Sequence, residues 1–381
     1  MTTAAYIHIP FCHHICHYCD FNKVFMKNQP VDLYIERLLD EIRLRKDVDQ
    51  QPLTSIFVGG GTPTALDHNQ LEQLCKGISE ILPFSSTIEY TFEANPGDLS
   101  LEKIQVLRKY GVNRLSFGVQ SFNDELLHKI GRNHRGKDVY RSITDAQLAG
   151  FSNISIDLIY ALPTQTLADF EETLDKALEL DLPHYSGYSL IVEPKTVFYN
   201  LMRKGKLPLP GEETEAAMYE LLMKKMREKG LNQYEISNFA KEGYESRHNL
   251  VYWNNDEYYG FGAGAHGYVK GIRYSNIAPV SKYMEAVSSR SLPTLNEQKV
   301  PLHEKMEEEM FLGLRKTNGV SITKFSERYN EDILNRFDKA VEDAQNKGLL
   351  TIENDHLMLT HKGKFLGNEV FQSFIGIIET N

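Results

Sequence analysis

The sequence is poor in cysteine, in tryptophan and in positive charge, and two of these shortages exclude whole classes of protein. Four cysteines in 381 residues are too few for a disulfide-stapled scaffold of the kind small secreted domains use. Lysine and arginine number 42 against 52 aspartates and glutamates, a formal charge of −10. Such a surface repels phosphate backbones and anionic lipid, so nucleic acid is not an expected partner. No apolar run approaches the roughly 18 residues that a membrane helix needs, and the N-terminus lacks the basic flank and apolar stretch of a secretory signal. We therefore expect no transmembrane segment and a cytoplasmic location. Internal repeats and low-complexity tracts are missing too.

What remains is a globular composition, 41% hydrophobic and 25% charged, with a clear α/β rhythm. From residue 4 to about 191, six β-rich runs alternate with amphipathic stretches, the pattern of βα units feeding a parallel sheet. The runs are Ala5–Ile9, Ser55–Val58, Ile88–Phe92, Arg114–Val119, Ile154–Tyr160 and Tyr185–Ile191. After the first of them Ile35, Leu38, Leu39 and Ile42 recur at the spacing of one buried helix face. Six units fall short of the eight of a closed barrel, which predicts an incomplete (β/α)6 TIM-like barrel over residues 1–195. A doubly wound open sheet fits the same alternation.

Residues 196–300 break the rhythm and read as an α+β extension covering the barrel mouth. Residues 301–381 read as helices followed by a short hairpin, a small helical, winged-helix-like domain. That segment carries 10 Lys/Arg against 14 Asp/Glu, a balance that argues against DNA binding.

Three of the four cysteines, Cys12, Cys16 and Cys19, crowd into one loop directly after the first strand, at the rim where barrel chemistry is assembled. Three thiolates this close suit a soft metal. Zinc is one reading, with His13, His14 or His17 as fourth ligand, although structural zinc sites usually draw on a second, distant pair. A [4Fe-4S] cluster is the other, and three cysteines would leave one iron open to an exchangeable ligand. Cys75 sits alone within apolar helical spacing and reads as buried filler. Gly59-Gly60-Gly61-Thr62-Pro63 ends the second strand with a turn that lets a ligand reach backbone amides. Glu93, Gln120 and Asp157 are polar groups at or near successive strand ends, and Asp157 interrupts an apolar run, where an unpaired carboxylate would be costly.

The cysteine loop, with Tyr18 before its last cysteine, resembles the signature of the radical S-adenosylmethionine (SAM) superfamily. Tyr6-Ile-His-Ile-Pro-Phe-Cys12, Gly59–Pro63, Glu93-Ala-Asn-Pro96, Phe117-Gly-Val-Gln-Ser121 and Ile156-Asp-Leu-Ile-Tyr-Ala-Leu-Pro163 narrow the resemblance to its coproporphyrinogen dehydrogenase-like branch. Within that branch the chain is most similar to the HemW-type heme chaperones, over nearly its whole length. The resemblance implies a radical SAM barrel, a [4Fe-4S] cluster on Cys12, Cys16 and Cys19, and SAM chelated at the open iron. It implies SAM contacts from Tyr6, Gly60, Gly61, Thr62, Glu93, Gln120, Arg132, Asp157 and Ile191, with Tyr18 beside the adenine.

Two positions bear on function. Coproporphyrinogen dehydrogenases resemble this sequence but carry a further cysteine where this chain has Phe21, and phenylalanine neither ligates metal nor shuttles hydrogen. His248-Asn-Leu-Val-Tyr-Trp253 resembles the HNxxYW motif of the chaperones and implies His248 as a heme ligand, imidazole being a standard axial ligand; His266 is a second candidate. The expected partners are heme, a heme-acceptor protein and an electron donor to the cluster. The alternative is a porphyrinogen-decarboxylating enzyme of the same superfamily.

Overall fold

The computed structural model describes residues 2–46 and 51–377. Six parallel strands form its centre: β1 (Ala4–Ile9), β2 (Leu53–Gly60), β3 (Phe84–Ala94), β4 (Arg114–Gln120), β5 (Asn153–Tyr160) and β6 (His184–Ser189), hydrogen-bonded in that order. Helices such as Val31–Arg45, His68–Ile81 and Leu167–Glu179 connect them. The first helix buries Ile35, Leu38, Leu39 and Ile42, the face its spacing predicts. Capping boxes at Asp67 and Thr166 start the other two and satisfy amides that would otherwise lack partners. The six strands lie side by side in chain order, with no reversal of the kind a doubly wound sheet has, and the sheet does not close on itself among the described residues, so the architecture is the incomplete (β/α)6 barrel.

Side chains alternate along each strand, and here the alternation separates two environments. Ile56, Val58, Tyr90, Phe92, Leu115, Phe117, Ile154, Ile156 and Leu158 belong to the apolar core. The opposite faces carry Ser55, Glu89, Thr91, Glu93, Arg114, Ser116, Ser155, Asp157, His184 and Ser186, and register aligns them: Ser55 with Glu89, Glu93 with Ser116, Ser116 with Ser155, Asp157 with Ser186. Closed barrels usually fill this interior with branched apolar residues. A polar lining instead keeps the interior suited to ligands and networks.

The segment expected to cover the mouth does so only in part. Helix Val197–Arg203 reaches the cysteine loop, where the Phe198 amide donates to the His17 carbonyl at 3.1 Å. The rest widens the sheet and seals its far end. Asn238–Ala240 pairs antiparallel with β6 and with Asn232–Gln233, and Tyr259–Phe261 pairs parallel with β1, so the main sheet has nine strands among the described residues. Helix Arg247–Trp253, which carries the HNxxYW stretch, sits at the starts of β2 and β3, opposite the mouth. Its N-terminus is seated on Glu89, whose carboxylate accepts from the Arg247 and His248 amides at 3.0 Å each. A carboxylate at a helix start meets both the orphan amides and the positive end of the dipole.

The C-terminal part has its own core, built from Met306, Met310, Val320, Phe325, Ile333, Phe337, Leu357 and Phe374 among others. Strands Val320–Ser321, His356–Leu359 and Leu350–Glu353 form a small antiparallel sheet beside these helices, a winged-helix-like arrangement. No helix among the described residues is long and apolar enough to cross a membrane.

Candidate functional site

The loop that follows β1 is pinned before and after its cysteines. Phe11–Cys12 pairs in parallel with Val24–Phe25, and below it the His8 imidazole bonds the Asn22 carbonyl at 2.7 Å and the Tyr6 hydroxyl at 2.9 Å. The Asn22 amide in turn donates to the Ala263 and Ala278 carbonyls. Both ends of the loop are thus anchored to the sheet, and Cys12, Cys16 and Cys19 face one cavity of about 420 Å3.

The same cavity is lined by Tyr18, Gly60, Gly61, Thr62, Glu93, Gln120, Arg132, Asp157 and Ile191. Every SAM position implied by resemblance therefore borders it except Tyr6, which lies one layer deeper, stacked on Phe57. Ile191 needs a correction of a different kind. β6 ends at Ser189, where the Leu190 amide makes the last ladder bond, to the Tyr160 carbonyl, so Ile191 belongs to the following loop and is 67% exposed. Asn95, Ser116 and Tyr188 also line the cavity and were not anticipated. Period-2 alternation, Glu93–Asn95 and Ser116–Gly118, is the signal that could have found the first two.

Gly60 has φ +113°, and a Cβ there would lie 2.4 Å from the His8 ring. The turn therefore requires glycine. The Gly60 amide donates to Glu93 Oε2 at 3.1 Å. Enclosure by the barrel, and then the charge of Asp157, push the Glu93 carboxyl up to about 7. Asp157 is raised too, first by burial, although the Ser116 hydroxyl lies 3.4 Å from its oxygens. In a low-dielectric interior the charge of Asp157 favours a protonated Glu93, or a cation nearby.

The sulfurs have donors of their own. The Thr62 hydroxyl donates to Cys12 Sγ at 3.6 Å and Arg132 Nη1 to Cys16 Sγ at 3.4 Å. Burial raises the Cys12 thiol to about 11 despite Thr62, and raises Cys19 as well, so loading a metal here must displace protons. Among the described residues no three Cys, His, Asp or Glu side chains converge as a ready single-ion site. Thiols spread around a cavity suit a cluster, in which each sulfur holds a different iron, better than tetrahedral zinc. Cys75 is fully buried, apart from this group.

His248 is 1% exposed. One ring nitrogen bonds the Ser55 hydroxyl at 3.0 Å, the other the Tyr252 hydroxyl at 2.9 Å, and Phe57 stacks on the ring. With both nitrogens occupied at the barrel floor, the expectation that it ligates heme iron does not fit this geometry. His266 is exposed at the start of a strand. Phe21 lines the cavity and is 61% exposed.

Comparison with known proteins agrees with this picture. Residues 6–177 match the family model of the radical SAM superfamily and residues 300–366 that of the HemN C-terminal domain. The chain is 54% identical to heme chaperone HemW of Bacillus subtilis (strain 168), over 98% of this chain and 99% of that protein. It is 48% identical to heme chaperone HemW of Lactococcus lactis subsp. lactis (strain IL1403), over 98% and 97%. The structure of coproporphyrinogen III oxidase (HemN) from Escherichia coli, described as a radical SAM enzyme, superposes with a TM-score of 0.86 over 99% of this chain and 91% of that one, at 23% identity, a likeness of fold. With full-length identity of this order, a six-stranded open barrel and three cysteines on its mouth, the chain belongs to the HemW heme chaperone family of the radical SAM superfamily.

Proposed function

We propose that the chain is a cytoplasmic heme chaperone that holds a [4Fe-4S] cluster through Cys12, Cys16 and Cys19, takes SAM at the open iron and delivers heme to an acceptor protein. The observation that carries this over porphyrinogen decarboxylation is Phe21 in the cavity wall, a side chain without a thiol where the dehydrogenases have a further cysteine.

When bound, the cluster supplies one-electron reduction and an iron position for the amino and carboxylate groups of SAM. The protein's own part is to hold and shield. The Gly60–Thr62 turn offers backbone groups, while Asp157 and, once ionised, Glu93 offer negative charge for an ammonium. Tyr18 and Ile191 supply apolar surface for the nucleoside. An electron donor completes the partners. His248 supports the barrel floor instead of meeting heme iron.

The test is anaerobic reconstitution of the full-length chain, followed by separate titrations with heme and with coproporphyrinogen III. Heme retention without porphyrinogen turnover is the expected result. Porphyrinogen consumed together with SAM would overturn the chaperone reading in favour of the enzyme.

A further inference from the structure

Cys12 and Cys16 are joined by an unbroken chain of hydrogen bonds that runs outside the cysteine loop. Arg132 Nη1 donates to Cys16 Sγ at 3.4 Å, and Nη2 of the same guanidinium donates to Asn95 Oδ1 at 2.8 Å. Asn95 Nδ2 donates to Thr62 Oγ1 at 3.1 Å, and the Thr62 hydroxyl donates to Cys12 Sγ at 3.6 Å. The three residues follow three successive strands, Thr62 after β2, Asn95 after β3 and Arg132 after β4.

Within this chain of hydrogen bonds each donor passes toward a sulfur. Arg132 polarises the Asn95 amide, which strengthens its donation to Thr62, which strengthens the donation of Thr62 to Cys12. One cation therefore acts on two thiolates, directly on Cys16 and by relay on Cys12. Arg132 is fixed for this purpose: Nη2 also donates to the Gly118 carbonyl. Asn95 has a second acceptor, Asp98 Oδ2 at 3.2 Å, which takes the other proton of Nδ2 and fixes the amide's orientation.

We infer that Thr62, Asn95 and Arg132 form a strap that tunes the iron-sulfur cluster, with Asn95 as the positioning residue that carries the charge of Arg132 to the second sulfur. The inference rests on the cluster reading given above and adds a role that SAM contact alone does not include. On reduction the cluster gains one electron and no bond forms or breaks. The added negative charge spreads onto the cysteine sulfurs, where N–H and O–H donors stabilise it. The strap therefore makes the cluster easier to reduce, and it does so before SAM arrives.

The experiment is an EPR-monitored redox titration of the anaerobically reconstituted full-length chain, without SAM, with dithionite as reductant. Iron and sulfide are assayed on each sample. Asn95→Leu, Thr62→Val and Arg132→Gln should each hold a full complement of iron and sulfide and shift the midpoint to more negative potential, Arg132→Gln furthest because the cation itself is lost. Thr62→Ser, which keeps the hydroxyl, should retain the wild-type midpoint. Wild-type midpoints in Thr62→Val and Asn95→Leu at full cluster content would overturn the strap and leave the cluster reading standing. If Asn95→Leu assembles poorly, the Thr62→Val and Thr62→Ser pair decides. A wild-type chain that takes up no iron and sulfide would overturn both readings, and that outcome is visible before any potential is measured.

Discussion

Removing the His248 ring tests whether this residue closes the barrel floor or holds heme. His248→Ala deletes a buried ring that stacks on Phe57 with centroids 5.4 Å apart and meets Tyr252 edge-on at 5.1 Å. Truncating a buried ring of this kind costs roughly 2–4 kcal/mol, through lost contacts and the space left behind. The Ser55 hydroxyl, 1% exposed, loses its partner at a further cost of about 1 kcal/mol. The expected loss is thus about 3–5 kcal/mol, the same with and without heme. Urea unfolding followed by tryptophan fluorescence is the assay, because Trp253, the only tryptophan, ends the same helix. pH supplies a second arm. Burial, and then the charge of Arg114, lower His248 to about 3, against about 6.5 in the unfolded chain. Its neutral form therefore favours folding above pH 6.5, and that contribution falls by about 1.4 kcal/mol per pH unit as pH drops from there toward 3. His8 and His134, both lowered to about 4 by burial, share the sign, so the difference between wild type and His248→Ala isolates this residue. A variant with unchanged stability that loses the low-spin heme spectrum would refute the floor argument and restore iron ligation.

Other outcomes follow from the mouth. Cys12→Ala, Cys16→Ala or Cys19→Ala should abolish the absorbance near roughly 400 nm expected of a thiolate-ligated cluster, whereas Cys75→Ala keeps it; a cluster lost with Cys75 would sink the three-cysteine assignment. SAM binding should strengthen as pH rises through about 7, where Glu93 ionises, and level off above. Calorimetry on the reconstituted chain at several pH values checks this, and Glu93→Gln should remove the dependence. Gly60→Ala places a Cβ 2.4 Å from the His8 ring on a backbone at φ +113°; it should lower both the denaturation midpoint and SAM affinity, and wild-type affinity would show that the turn tolerates a side chain.

The sequence made the cysteine loop and the barrel count legible because both are local: three ligands within eight residues, and one buried face per helix. The strap was not legible, since Thr62, Asn95 and Arg132 meet only when three separate loops reach the same rim. The floor helix was hidden for another reason. Arg247–Trp253 is seven residues long, too short for a helical period to stand out, and its destination is set by Glu89, more than 150 positions away. Tyr259–Phe261 was disguised by glycine. Gly260 weakens any strand signal, yet a Cβ there would fall 1.8 Å from the His266 carbonyl oxygen, so close packing forces the residue that obscures the strand. Ile191 was placed in β6 because its apolar run continues past Ser189, while the chain has already turned away.

The seat of Arg247–Trp253 on Glu89 makes the barrel a vessel with a stopper at one end. Traffic to its interior passes through the neck where Cys12, Cys16, Cys19 and Phe21 stand. A ligand held at Glu93 and Asp157 would lie deeper than anything resting on Cys19 and Phe21, so of two such ligands the deeper would enter first and leave last.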